Sequence, residues 1–241
     1  ASSLAGGEDH PQSSWFVLLA AVAIVALWWF FRHIRRSPHP FIAPRLIRGP
    51  GFGAVNLVNT VFGGMTNGAM TLIPLYATNR YGIDVLGSGS LLVAQGAAAI
   101  ALSVLAALAL RRTGHRPPLY AGGSVIALGI LLLAVQPPFG LTPYAWLAAA
   151  SFLIGAGRGA INPASRNAGL QLAPEHASTL AALRTASLQI GAISTVSVVT
   201  AVLARFADPA GVQAWVYVAV AALLAAALPL VARVPEHHGS W

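Results

Sequence analysis

Cysteine and lysine are both missing from this sequence, and acids are scarce: six Asp and Glu among 241 residues. Without cysteine there are no disulfides and no thiolate metal sites. Without lysine there is no Schiff-base chemistry, so the seven-helix retinal proteins are excluded. Charge of either sign is thin, at 8% of residues, where a soluble domain carries about 25%. So few charges cannot cover a water-exposed surface. The chain needs an apolar solvent, and the lipid bilayer is the available one.

What fills the sequence instead is hydrophobic, at 56% of residues and a mean hydropathy of +0.71. The apolar residues fall into seven blocks: Trp15–Phe31, Phe52–Thr78, Leu86–Leu110, Leu119–Val135, Tyr144–Ala164, Thr179–Ala204 and Val212–Ala232. Each is near the roughly 20 residues that a spanning helix requires. Buried helices of a soluble bundle would need charged outer faces, which these blocks lack. The expected fold is therefore an all-α membrane protein with seven transmembrane helices.

All 14 basic residues are arginine, and their placement orients the helices. The first loop holds Arg32, Arg35, Arg36, Arg45 and Arg48 and no acid, so it is expected in the cytoplasm. Alternation then puts 11 arginines inside, two (Arg80 and Arg205) outside, and Arg158 within the membrane. Glu8, Asp9, Asp84 and Asp208 fall outside; Glu175 and Glu236 fall inside. This gives a multi-pass protein of the cell membrane, N-terminus outside and C-terminus cytoplasmic. The net charge of +8 serves topology; no basic face interleaved with aromatics exists for nucleic acid.

The organisation expected is an extracellular segment at 1–14, a first helix at 15–31, a basic linker at 32–51, six helices within 52–233 and a cytoplasmic tail at 234–241. The linker contains SPHPFIAPRLIRGPG, whose prolines favour an extended or surface-lying path. Glu8 and Asp9 stand where a signal peptide would carry positive charge, and the chain opens at Ala1. It is therefore expected to be a fragment or an excised domain. Six helices are the size of one half of a large secondary transporter, built of two three-helix repeats. Internal similarity between the two sets of three is weak.

Glycines recur at helical spacing, as at Gly63 and Gly64, Gly122 and Gly123, Gly155, Gly157, Gly159 and Gly191. Close helix packing in lipid accounts for them. The run GAGRGAINP, Gly155 to Pro163, also suits bending during transport.

Several local patterns then converge. They are FGAVNLVNTVFGGMTNGAMTLIPLY with YGIDVLGSGSLL in the second block, LRRTGHR at Leu110–Arg116, and GAGRGAINPASRNAGLQLAPEHASTLAALRTASLQIGA across the fifth and sixth. Their order resembles the C-terminal part of the major facilitator superfamily, in its fourteen-helix drug:proton antiporter branch. The resemblance runs from about Trp15 to Arg233. It implies that the first helix is the last of two extra central helices, and that the other six form the C-terminal facilitator bundle. It implies secondary active transport, as proton-coupled efflux of amphiphilic small molecules or drugs. The partners implied are a small-molecule substrate, protons, the bilayer and a missing N-terminal six-helix bundle carrying the proton coupling. No cofactor is implied.

LRRTGHR resembles the superfamily's cytoplasmic basic loop, with Leu110 where an Asp is expected and His115-Arg116 in place of an Arg pair. Arg111, Arg112, Gly114 and Arg116 are thus candidate gating residues, or plain positive-inside anchors. Arg184, five residues after Thr179, matches an Arg common at this place in the family. It is a gating candidate or a structural anchor.

Polar groups inside lipid are costly and are the substrate-path candidates. Asn56, Asn59 and Asn67 are spaced by three and eight, which places them on one helical face in the second block. They line a central cavity or bond neighbouring helices. Gln95, Asn162 and Gln189 are further candidates. Arg158 lies fourteen residues beyond Tyr144, with no acid in any helix core to pair with it. It faces a water-filled cavity and contacts an anionic group or the missing half, or it snorkels to the headgroups. The seven histidines (His10, His33, His39, His115, His176, His237 and His238) all fall in loops or tails, and no metal site is expected. No Ser/His/Asp set or paired carboxylates point to an enzyme. A competing reading is a non-transporting subunit or truncated remnant that needs a partner half.

Overall fold

A computed structural model describes residues 43–49, 51–138 and 140–236, and twelve residues between 18 and 36. The predicted outer segment 1–14 with Glu8, Asp9 and His10 lies outside the described residues. So do Trp15, Phe31, Arg35, His39 and the His237-His238 pair. By internal contacts the chain divides into Ala1–Leu46 and Ile47–Trp241, and each unit is taken by itself below.

In the first unit, every described residue within 18–36 is helical; this helix is α1. Its apolar side chains Leu18, Ile24, Val25, Trp28 and Trp29 are exposed, as lipid-facing residues would be. Helix persists past Phe31, where the linker was expected to begin. The Arg32 guanidinium reaches back one turn to lie 5.2 Å from the Trp28 ring centroid. Pro44 opens a short helix α2 (Pro44–Arg48), because its fixed φ suits the first helical position.

The second unit is a bundle. The second apolar block forms α3 (Phe52–Val58), a π-helical segment (Asn59–Met65), α4 (Thr66–Thr71) and α5 (Ile73–Tyr81). Then come α6 (Val85–Thr113), α7 (Arg116–Ala134), α8 (Pro143–Leu170), α9 (Ala177–Leu203) and α10 (Pro209–Ala227), which ends in a 3-10 turn (Leu228–Arg233). No strand occurs among the described residues. α8 passes straight through Pro163 and runs six residues beyond the expected end at Ala164, because Ser165 and Ala168 are buried against neighbours. The break between α4 and α5 falls at Leu72, two residues before Pro74. There Gln213 of α10 donates Nε2 to the Leu72 carbonyl at 3.1 Å.

The helix ends gather in two groups. One end holds the capped starts of α6, α8 and α10, with Asp84, Thr142 and Asp208 accepting backbone N–H bonds from Gly87, Ala145 and Gly211. Two scarce acids are thus helix caps. The other end holds Gly51, Leu172 and Pro235 together, along with His115, Gln171 and Glu236. Arg112, Arg116, Arg166 and Arg233 also belong to this end, hereafter the basic end.

α8 is gripped between α6 and α7 through small residues. Gly155 lies against the Gln95 carbonyl and Gly159 against Ala99 and Ser103, both on α6, while Gly157 lies against Gly122 and Ile126 of α7. Across the bundle, Gly64 and Gly68 of the second block meet Leu188, Gly191 and Thr195 of α9. The outward faces are apolar. Along α6, Val93 is 70% exposed, Ile100 70% and Leu108 73%. The helical segments Val85–Leu110, Arg116–Ala134, Pro174–Leu203 and Pro209–Arg233 are long and apolar enough to cross a bilayer.

A methyl group added at Gly157 would sit 2.5 Å from the Gly122 carbonyl oxygen and 2.7 Å from Ile126 Cγ1, whereas one at Gly96 would meet nothing within 4 Å. Gly157→Ala should destabilise the bundle by about 1–3 kcal/mol. Gly96→Ala should stay within about 0.5 kcal/mol of the parent. Reversible unfolding in mixed micelles measures both.

Candidate functional site

A cleft of about 490 Å³ opens at the basic end, where α3 starts, α8 finishes and α9 begins. Its polar lining comprises Asn56 and Asn59 from the second block, Ser165 and Arg166 from α8, and Ser178, Arg184 and Thr185 from α9. No carboxylate lines it. Apolar walls with a few convergent polar groups are the usual make-up of a ligand site.

Asn59 is buried at the first residue of the π-helical segment, and Asn56 donates Nδ2 to the Ile47 carbonyl at 3.4 Å. Arg184 donates Nη2 to Asn162 Oδ1 at 3.0 Å, while its Nε is buried without a hydrogen-bond partner. Asn162 joins the site in this way without lining the cleft. One turn before Asn162 on α8 is Arg158, half-buried, with Nη1 3.6 Å from Met70 Sδ. Its guanidinium therefore points inward to α4. Arg158 lies within electrostatic reach of Arg184, and Arg184 of Arg166. Among the described residues, none of these three arginines forms an ion pair.

The other path candidates are elsewhere. Asn67 sits on α4 away from the cleft. Hydrogen bonding i→i+5 in the intervening π-helical segment widens the turn, so a face counted at 3.6 residues per turn does not carry through. Gln95 is buried on α6, with Oε1 unpartnered. Gln189 is exposed on α9.

The loop Leu110–Arg116 is tied down by a residue that spacing did not reveal. Leu110, at the position where an Asp was expected, is 2% exposed and belongs to the core. The carboxylate comes from the far end of the chain. Glu236 accepts from the His115 backbone N–H at 2.6 Å and from the Arg116 N–H at 3.2 Å, and lies 3.4 Å from Arg116 Nε. An anion at the start of α7 is favoured by the unpaired N–H groups and helix dipole there. His115 is fully buried and donates Nε2 to Gln171 Oε1 at 2.8 Å. Gly114, with φ of 75°, ends α6 and turns the chain into this contact. Arg112 is exposed, and Arg111 lies at the end of α6. The one sequence signal for Glu236 is that it is an acid at an otherwise arginine-rich end.

Glu236→Ala should cost about 1–2 kcal/mol locally, through loss of the cap. Amide exchange at His115 and Arg116 should then quicken roughly five- to thirtyfold in hydrogen-exchange mass spectrometry. Exchange on α6 between Leu91 and Ala101 should not change.

The family model described as Major Facilitator Superfamily matches residues 4–196. No curated protein and no solved structure matches the chain. The family match covers most of the sequence, including α3 to α8, the basic loop and both Asn56 and Arg184. Members of this family are membrane transporters, and this chain belongs to the major facilitator superfamily.

Proposed function

We propose that the chain is the C-terminal portion of a secondary active transporter that exports amphiphilic small molecules by proton coupling, of the fourteen-helix drug:proton antiporter type. The observation that carries this reading is the cleft at the basic end, where polar groups converge between apolar walls in a bundle whose outward faces are apolar. Such a cleft has little structural use in lipid, where polar groups are costly, and suits a solute path.

In this reading seven helices span the bilayer. α1 is an extra central helix, the linker follows it, and 52–233 is the C-terminal bundle. The composite Phe52–Tyr81 and α8 cross beside the four most apolar spans. At about 1.5 Å per residue, the 28 residues of α8 are long enough. The basic end faces the cytoplasm, because arginine-rich ends are retained there. The cleft is then the cytoplasm-facing stretch of the path. Asn56, Asn59 and Arg184 contact the substrate, and an N-terminal bundle supplies the opposite wall. The described acids all sit at helix ends, so the proton-carrying group is assigned to that other bundle.

The test is flux in proteoliposomes containing the full gene product. An imposed pH gradient should drive movement of at least one member of a panel of cationic, neutral and anionic fluorescent amphiphiles. Asn59→Leu should cut that flux about tenfold or more, through loss of a buried polar contact. Gradient-independent leakage alone, for every compound, overturns the proposal.

A further inference from the structure

The cleft carries charge of one sign. Arg166 and Arg184 line it, and Arg158 stands behind Arg184 in the bundle. Arg184 spends one donor on neutral Asn162 and leaves a buried Nε without a partner. A guanidinium held this way among apolar helices is poorly compensated, and buried charges are ordinarily paired or coordinated. Each arginine also feels the repulsion of the next along the series Arg158, Arg184, Arg166. An entering cation would add to that repulsion. An entering anion relieves it. The apolar remainder of the lining, with Phe52, Val55, Leu170 and Leu180, suits an alkyl or aromatic tail.

We propose that this cleft takes the anionic head group, carboxylate or phosphate, of an amphiphile, with Arg184 as the direct ligand and Arg166 at the entrance. The ligand class rests on the geometry of the cleft; its role as cargo rests on the transport reading above. The preferred substrate is thus an acidic amphiphile, whereas drug:proton antiport by itself leaves the charge of the cargo open. A planar guanidinium offers two parallel donors to either head group. A lipid phosphate and a free amphiphilic acid share this chemistry, and the test separates them.

The chain is placed in phosphatidylcholine nanodiscs, and equilibrium binding of radiolabelled dodecanoate and dodecyltrimethylammonium is measured against empty discs. Dodecanoate should bind saturably, and the cation at least about tenfold more weakly. Arg184→Gln should weaken dodecanoate about tenfold or more, as expected for a lost charge-assisted hydrogen bond, while Arg184→Lys recovers part of the loss. Should Arg184→Gln fail to fold, the exposed Arg166→Gln serves instead, with a loss of about threefold. Equal affinity for the two probes, or dodecanoate affinity unchanged in both arginine variants, overturns the proposal. In phosphatidylglycerol discs, dodecanoate displaced in an Arg184-dependent way makes a lipid phosphate the occupant. Dodecanoate binding retained makes the occupant a free acid. Either result supports the anion site. Arg184-dependent dodecanoate binding without any gradient-driven flux overturns the transport reading alone. Gradient-driven flux of dodecyltrimethylammonium without Arg184-dependent binding overturns the anion site alone.

Discussion

Close backbone contact along α8 is the constraint on which the rest of this bundle depends. In lipid the hydrophobic effect does not drive helices together, because the solvent is as apolar as the side chains. What remains is packing, and packing is strongest where backbones meet. Gly155 and Gly159 present one edge of α8 to α6, and Gly157 presents another to α7. Three glycines within five residues thus hold three helices in one register. Arg158 falls within this run, so its long side chain leaves on the remaining side, toward Met70 of α4.

From that arrangement the cleft follows. With its middle clamped, α8 extends through Pro163 and delivers Asn162, Ser165 and Arg166 to the basic end. The second block meets α9 by the same device, Gly64 and Gly68 against Gly191 and Thr195, which places Asn56 and Asn59 across from Arg184. Above the cleft, His115, Gln171 and Glu236 join the loop between α6 and α7, the end of α8 and the tail beyond α10. The polar groups are therefore concentrated at one end, while most of the outward-facing surface is hydrocarbon.

Much of this was legible in the sequence because a bilayer makes simple demands. Apolar runs of about 20 residues become helices, and the ends of α6, α7 and α9 fall within about three residues of the predicted blocks. Asn56, Asn59 and Arg184 stood out for the same reason, being polar where polarity is costly. What was hidden depends on tertiary contacts. The π-helical segment is a local change in pitch with no composition of its own, and Asn67 lies beyond it, outside the lining of the cleft. The block around Pro163 was expected to end at Ala164, yet the helix continues to Leu170 with Ser165 and Ala168 buried. Glu236 meets a loop 120 residues earlier, a distance over which no spacing rule operates.

A cleft lined in part by polar groups opens to the arginine-rich side of this lipid-embedded bundle, and water should reach it. The absence of cysteine makes accessibility a direct measure of it. Single cysteines are placed at Asn56, at Thr185 and, as a lipid-facing control, at Ile100. Each is challenged with a membrane-impermeant maleimide in inverted vesicles, which expose the cytoplasmic face. Asn56→Cys and Thr185→Cys should label rapidly, and Ile100→Cys should not label. Labelling of Asn56→Cys as slow as that of Ile100→Cys, or seen only from the opposite face of the membrane, would contradict such a cleft.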